Sequence, residues 1–341
     1  MSLTNLQLAD LLARSADEAE SYRQRAYRKA SRAALAWTEE ARDLIREGRP
    51  LTELFGVGDK LARRIVGWMD DAPEVGDPPE SRTGFSSRSV SSAIVEGHPE
   101  WRDAINADLQ MHTTYSDGTV SIEGMAVAAR DLGYAYVAIT DHSQGLKIAG
   151  GMTPDEMRIQ AREIAEVNEA MAGTGFRLLR ALEMNISPAG EGDTEPGDLR
   201  GLDLVLGSFH SSLQTTKDQT YRYLAAVRNP HFQVFGHPRG RMYGTRAGLH
   251  ADWKRVFAEA AKFNKAVEID CNPNRQDLNA ELTALAVDAG CYISIGTDAH
   301  YIHELDYMDL GIATALAAGA PRERILNYMT ADELLAWVAD R

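Results

Sequence analysis

From residue 107 onward, short apolar runs alternate with stretches of helix length. The runs cover 107–112, 134–140, 177–184, 202–209, 232–237, 265–270 and 291–297, and are rich in Val, Ile, Leu and Tyr. Between them lie 121–132, 155–171 and 252–263, and two last helices are expected around 321–327 and 331–339. Strand–helix alternation predicts an α/β fold of parallel strands. The C-terminal ends of such strands emerge on one face of the sheet or barrel, which is where barrel active sites sit.

The first part of the chain has a different pattern. Leu3, Leu6, Leu8, Leu11 and Leu12 mark one amphipathic helix, residues 26–37 a second, and residues 51–69 a pair of short helices around Gly56-Val57-Gly58. Residues 72–92 hold Pro73, Pro78 and Pro79 among many Ser and Gly, the composition of a linker or irregular connection. The reading is therefore a small all-α domain at 1–71, a linker at 72–104 and an α/β domain at 105–341. No internal repeat or coiled coil is evident.

Seven segments place a metal-ligand type at or just after the end of an apolar run. They are 108–112, 139–142, Glu183, 207–210, 235–237, 268–270 and 296–300. Of nine histidines, His112, His142, His210, His237 and His300 lie at strand ends, while His98, His231, His250 and His303 read as surface or packing residues. A lone Asp141-His142 pair is more often structural, but five such segments on one face form a constellation. Imidazole with carboxylate suits Zn, Mn or Fe. Two or three divalent ions there would activate water and clamp a phosphoryl group, with Glu183 placed to bridge two of them.

Charge refines this picture. The net charge is −14, yet of 36 Lys/Arg and 50 Asp/Glu, residues 1–71 carry 12 of each. The acidic excess lies in the remainder and argues against broad, non-specific nucleic-acid binding there. Residues 54–65 fit a helix-hairpin-helix, in which Gly56 and Gly58 expose backbone N–H groups to a DNA phosphate and Lys60, Arg63 and Arg64 add charge. Arg25, Arg28, Lys29 and Arg32 share one helical face. The plainer alternative is a hairpin whose glycines only permit the turn. Cys271 and Cys291 imply no disulfide framework, and no signal peptide or membrane-length apolar run is seen, so a reducing cytoplasm is the default.

The stretches His112-Thr-Thr-Tyr-Ser-Asp-Gly118, Ile139-Thr-Asp-His142, Phe209-His210, Gly236-His237-Pro238 and Gly296-Thr-Asp-Ala-His300 resemble the motifs of the polymerase and histidinol phosphatase (PHP) family. The resemblance covers about residues 105–341 and implies a distorted seven-stranded (β/α) barrel with a trinuclear metal site. The implied ligands are His112, Asp117, His142, Glu183, His210, His237, Asp298 and His300. Gln110 stands where the family usually has the first histidine of a His-x-His pair, so one ion is expected to bind more weakly. Residues 236–244 and 268–275 are most similar to the C-terminal module of bacterial family X DNA polymerases, and residues 1–71 resemble their N-terminal helical domain. No Gly-Ser with a following Asp-x-Asp lies between 72 and 106, so the polymerase palm is absent and no polymerisation is expected.

Arg239, Arg241 and Arg275 lie just beyond strand ends, where a guanidinium fork matches a phosphate. Arg241 and Arg275 are favoured for that contact over surface ion pairing. With Glu183 and Asp298 they are the residues expected to carry the reaction. The leading reading is a metal-dependent phosphoesterase acting on DNA, as a 3′→5′ exonuclease or 3′-end phosphatase of DNA repair. The alternatives are a phosphatase for histidinol phosphate or a nucleotide, and a weakly active DNA-binding scaffold.

Overall fold

A computed structural model describes residues 3–74 and 76–340. Six helices precede the first strand: α1 (Asn5–Asp17), α2 (Ser21–Ala36), α3 (Ala41–Arg46), α4 (Asp59–Asp70), α5 (Arg88–Glu96) and α6 (Pro99–Arg102). A capping box starts α1: Gln7 N donates to Thr4 Oγ1 and Thr4 N to Gln7 Oε1. Leu8, Leu11 and Leu12 then pack on Ala30, Ala34 and Leu35 of α2 and Ile65 of α4. Of the expected pair of short helices, 51–53 is a single 3-10 turn and α4 is the longer member.

The stretch read as a linker is largely structured. Pro73, Pro78 and Pro79 do lie in irregular backbone, but residues 88–96 and 99–102 form α5 and α6. Composition missed α5 because Ser89 and Ser91 are buried in it beside Val95 and face polar partners: Ser89 Oγ donates to Glu40 Oε1 at 2.7 Å. Phe85 joins the core of the helical segment and meets Tyr243, from beyond the fifth strand, edge to face at 5.0 Å. Buried Arg82 pairs with Asp10 at 3.0 Å. The N-terminal helices are thus docked on the rest of the molecule by a continuous small core.

All seven strands form within two residues of their expected ends: β1 (Ala107–Met111), β2 (Tyr136–Ile139), β3 (Arg177–Asn185), β4 (Leu204–Ser208), β5 (Val234–Gly236), β6 (Ala266–Asp270) and β7 (Tyr292–Gly296). They pair in parallel in sequence order. Helices α7 (Ile122–Asp131), α8 (Pro154–Ala170), α9 (Thr220–Val227), α10 (Trp253–Lys262), α11 (Ala280–Asp288) and α12 (Met308–Ala317) flank the sheet, and α13 (Ala331–Ala339) ends it. The helix expected at 321–327 is instead two 3-10 turns.

Strands β1 and β7 nearly close the barrel. His112 N donates to Ala299 O and Asp298 N to Gln110 O at one end of the seam. At the other, the Asn327 side chain spans the gap: its Nδ2 donates to Ala107 O (2.9 Å) and Ile295 O (2.7 Å), and its Oδ1 accepts from Ile295 N. Strand alternation fills the interior. Tyr136 and Ala138, Leu179 and Ala181, Leu204 and Leu206 share one apolar cluster with Leu334 and Trp337 of α13. Continuing the same two-residue period to the strand ends brings His142, Glu183 and His210 over that core.

Candidate metal centre

Strand β1 is the exception to the simple period. Ala107 and Leu109 face the interior, yet the ligand candidates are the even residues Gln110 and His112. The register with β2 slips between Asp108 and Met111, and this bulge re-aims the end of the strand. His237 and Asp298 reach the site from left-handed backbone, with φ of 23° and 53°. L-residues adopt that region only when their surroundings impose it, and such strain gathers at functional sites.

The centre is built around Glu183, fully buried at the end of β3. Its Oε1 lies 2.8 Å from His237 Nε2 and 3.2 Å from His210 Nε2. Its Oε2 lies 3.1 Å from His142 Nδ1 and 3.5 Å from His112 Nε2. One carboxylate therefore faces two pairs of imidazoles. A second focus is Asp117, 3.2 Å from His300 Nε2, 3.5 Å from His142 Nε2 and 3.9 Å from His112 Nδ1. Asp298 Oδ1 stands 3.1 Å from His112 Nε2, and its Oδ2 3.2 Å from Arg275 Nε.

The donor atoms fit divalent cations. His112 Nδ1 and Nε2, His142 Nδ1, Glu183 Oε1, His210 Nε2 and Asp298 Oδ2 are buried with no hydrogen-bond partner of good geometry. Such groups are costly to bury unless something binds them. His112, Asp117, His142 and His300 can each place a donor within 4.8 Å of the others, and so can His142, Glu183 and His210. His300 Nδ1 donates to Asp298 O at 2.7 Å, which fixes its tautomer and leaves Nε2 for a ligand.

Electrostatics agree with the geometry. Burial alone would push the Glu183 carboxyl up, but His142, His210 and His237 hold it well below the usual range. Burial pushes the His300 imidazole down, yet Asp117 and Asp298 outweigh it and raise it to about 10. His142 is likewise raised, Glu183 and Asp117 overcoming its burial. Asp298 lies well below the ordinary carboxylate range despite burial, chiefly through Arg275 and His112.

The structure does not bring every expected residue here. With its amide nitrogen turned toward the carboxylate, Gln110 donates to Glu268 Oε2 at 2.8 Å and also to Oε1, so it is engaged by Glu268 rather than by the histidines. Glu268 also accepts from His237 N at 2.6 Å. Glu268 and Asp270 were visible as strand-end acids, and their two-residue spacing from Ala266 was the signal that both face inward. Asp141 accepts from Thr113 N and Oγ1, Ser116 Oγ and Gln160 Nε2, and is a structural acid.

Of the arginines, only Arg275 reaches the centre. Arg241 is buried elsewhere: its Nη2 donates to Thr83 O at 2.9 Å, and its guanidinium lies 3.7 Å from the Phe85 ring centroid. Arg239 donates to Ala247 O. In the helical segment Gly56, Gly58, Lys60 and Arg63 are exposed where expected. Gly56 sits at φ 81° and turns the chain into α4. Arg64 lies over the Tyr27 and Trp68 rings, at 5.0 and 4.9 Å, and is partly committed to packing.

Residues 108–272 match the profile of the PHP domain. The DNA polymerase/3′-5′ exonuclease PolX of Bacillus subtilis (strain 168) is 38% identical over 235 residues, which cover 69% of this chain and 41% of that protein. The chain thus spans less than half the length of this relative. A probable phosphatase, YcdX, of Escherichia coli (strain K12) is 28% identical over 236 residues, covering 64% of this chain and 89% of that one. A histidinol phosphate phosphatase from Lactococcus lactis, solved with zinc, L-histidinol and phosphate, superposes with a TM-score of 0.46 at 15% identity, over 62% of this chain and 93% of that chain. The region that matches the PHP domain carries the His/Asp/Glu clusters that could hold metal ions. Among the described residues no helix is long and apolar enough to cross a membrane.

Proposed function

We propose that the protein hydrolyses phosphate esters of DNA, as a 3′→5′ exonuclease or 3′-end phosphatase, with two or three Zn, Mn or Fe ions held by the Glu183 cluster. The observation that carries the metal chemistry is the Glu183 carboxylate, with two imidazoles at each oxygen. When bound, such ions turn water into a nucleophile near neutral pH and offset phosphoryl charge. His112, Asp117, His142, His210, His237, Asp298 and His300 would hold them with Glu183. Arg275 holds Asp298 through Nε and is 23% exposed, so the rest of its fork is free to meet a phosphoryl oxygen. Gln110 orients Glu268, which in turn holds the backbone of His237.

The DNA reading is supported by the helical segment docked beside the barrel, with Gly56, Gly58, Lys60 and Arg63 exposed, and by the resemblance of the chain to the Bacillus polymerase/exonuclease. A small phosphate ester is the second reading, favoured by the match over nearly the whole length of the Escherichia probable phosphatase. Two buried free cysteines suit a reducing cytoplasm. Metal-loaded protein should be assayed on 3′-labelled DNA, 3′-phosphorylated DNA, histidinol phosphate and nucleotides. Preference for the DNA substrates supports the proposal; turnover confined to small esters refutes the DNA reading.

A further inference from the structure

A groove of about 980 Å³ separates α2 from the mouth of the barrel. Arg25, Arg28, Lys29 and Arg32 line one wall at successive turns of α2, all exposed. Asn274 and Glu304 are on the opposite wall. Asn274 immediately precedes Arg275 of the metal centre, and the Glu304 carboxylate accepts from the backbone N–H of His300 at 2.7 Å. The groove therefore runs up to residues that position the centre.

Its charge is opposite to that of the molecule. The acids along it are already engaged: Glu39 and Glu53 share Arg49 at 2.6 Å each, and Glu304 is held by the amides of His300 and Tyr301. Arg88 is paired with Asp306. Among the described residues, Arg25, Arg28 and Lys29 have no carboxylate partner, and Arg32 meets only the neutral Thr245 hydroxyl. Four cations thus face the groove uncompensated, on a chain of net charge −14. Phe55 also lines the groove and is 72% exposed, with Lys29 5.6 Å from its ring centroid. A large exposed aromatic among cations is poorly explained by folding alone.

Together these features match what holds single-stranded nucleic acid: a cationic track for the backbone and an aromatic face on which a base stacks. We infer that this groove binds a single strand of DNA, with Arg25, Arg28, Lys29 and Arg32 on its phosphates and Phe55 under a base, and leads its end to the metal centre. The inference rests on the DNA reading above and adds the path of the strand. It differs from the phosphate contact expected at Gly56 and Gly58, neither of which lines the groove.

The test uses the full, metal-loaded chain and a fluorescein-labelled phosphorothioate oligothymidylate of about 12 nucleotides. Anisotropy gives its Kd across a salt series, for wild type, Arg25→Glu/Arg28→Glu and Phe55→Ala. Hydrolysis of bis(4-nitrophenyl) phosphate reports the intact centre. Both variants should weaken binding about tenfold or more while ester hydrolysis stays at the wild-type rate. Only the charge variant should flatten the salt dependence, by about 0.7 in log–log slope per lost phosphate contact. Wild-type Kd and slope in both variants would overturn the groove. If an ordinary oligothymidylate is still cleaved in that case, the groove alone fails. If the wild-type chain hydrolyses the ester but neither binds nor cleaves the oligonucleotide, the DNA reading fails as well.

Discussion

At the scale of single residues, the two arginines favoured from the sequence for phosphate contact have separate fates. Arg275 neutralises Asp298 and reaches Asp270, so Arg275→Ala should lower kcat/KM on any phosphate ester by tenfold or more, and Arg275→Lys should recover part of it. Arg241→Ala should leave kcat/KM near wild type but cost about 2–3 kcal/mol of stability, because it removes a stacked guanidinium and strands the Thr83 and Gly84 carbonyls. Steady-state kinetics and urea titration of the two variants would show the crossover, and equal losses of activity would contradict it. The titration of the histidines makes a second prediction. In metal-free protein His300, raised to about 10, carries a proton at neutral pH, and the His142 imidazole is raised as well. Metal takes the deprotonated rings, so binding should release protons and tighten as pH rises toward that value. Calorimetry in buffers of different ionisation heat measures this directly; a heat independent of buffer would refute it.

At the scale of elements, the sequence showed most of what matters for the site. Seven runs of Val, Ile and Leu marked the strands because burial on both faces demands them, and ligand types at their ends were legible for the same reason. What could not be read locally depends on distant partners. The β1 bulge, which turns Gln110 and His112 inward, answers to pairing with β2. Helix α5 comes after a Pro/Ser/Gly-rich stretch and is held by Glu40 and the barrel helices. Gln110 looked like a weakened ligand, but its partner Glu268 lies on β6, far along the chain and brought near only by the closing of the barrel through β7. The seam between β1 and β7 depends on Asn327, a residue with no motif. Asn327→Ala should cost about 2–4 kcal/mol, since buried backbone groups on both strands lose their partner. A shift of the urea midpoint with unchanged steepness would show it, and an unshifted midpoint would mean the seam holds without the bridge.

At the scale of the whole molecule, the N-terminal helices and the barrel share Phe85, Tyr243 and the buried Arg82–Asp10 pair. Deleting residues 1–71 should therefore expose apolar surface and an unpaired arginine, and the truncated chain should lose solubility as well as DNA affinity. Point changes in α2 and at Phe55 are the cleaner probe. On the proposed DNA reading, the cationic groove recruits the polyanion and the metal centre of the barrel cuts it. That account stands on the Glu183 cluster holding metal. Elemental mass spectrometry of wild-type and Glu183→Ala protein, each reloaded and desalted, tests this most directly. The prediction is two or more transition-metal ions per wild-type chain and at least about tenfold weaker retention in a variant whose circular dichroism is unchanged. Equal metal content in the two proteins, or none in the wild type, would contradict it.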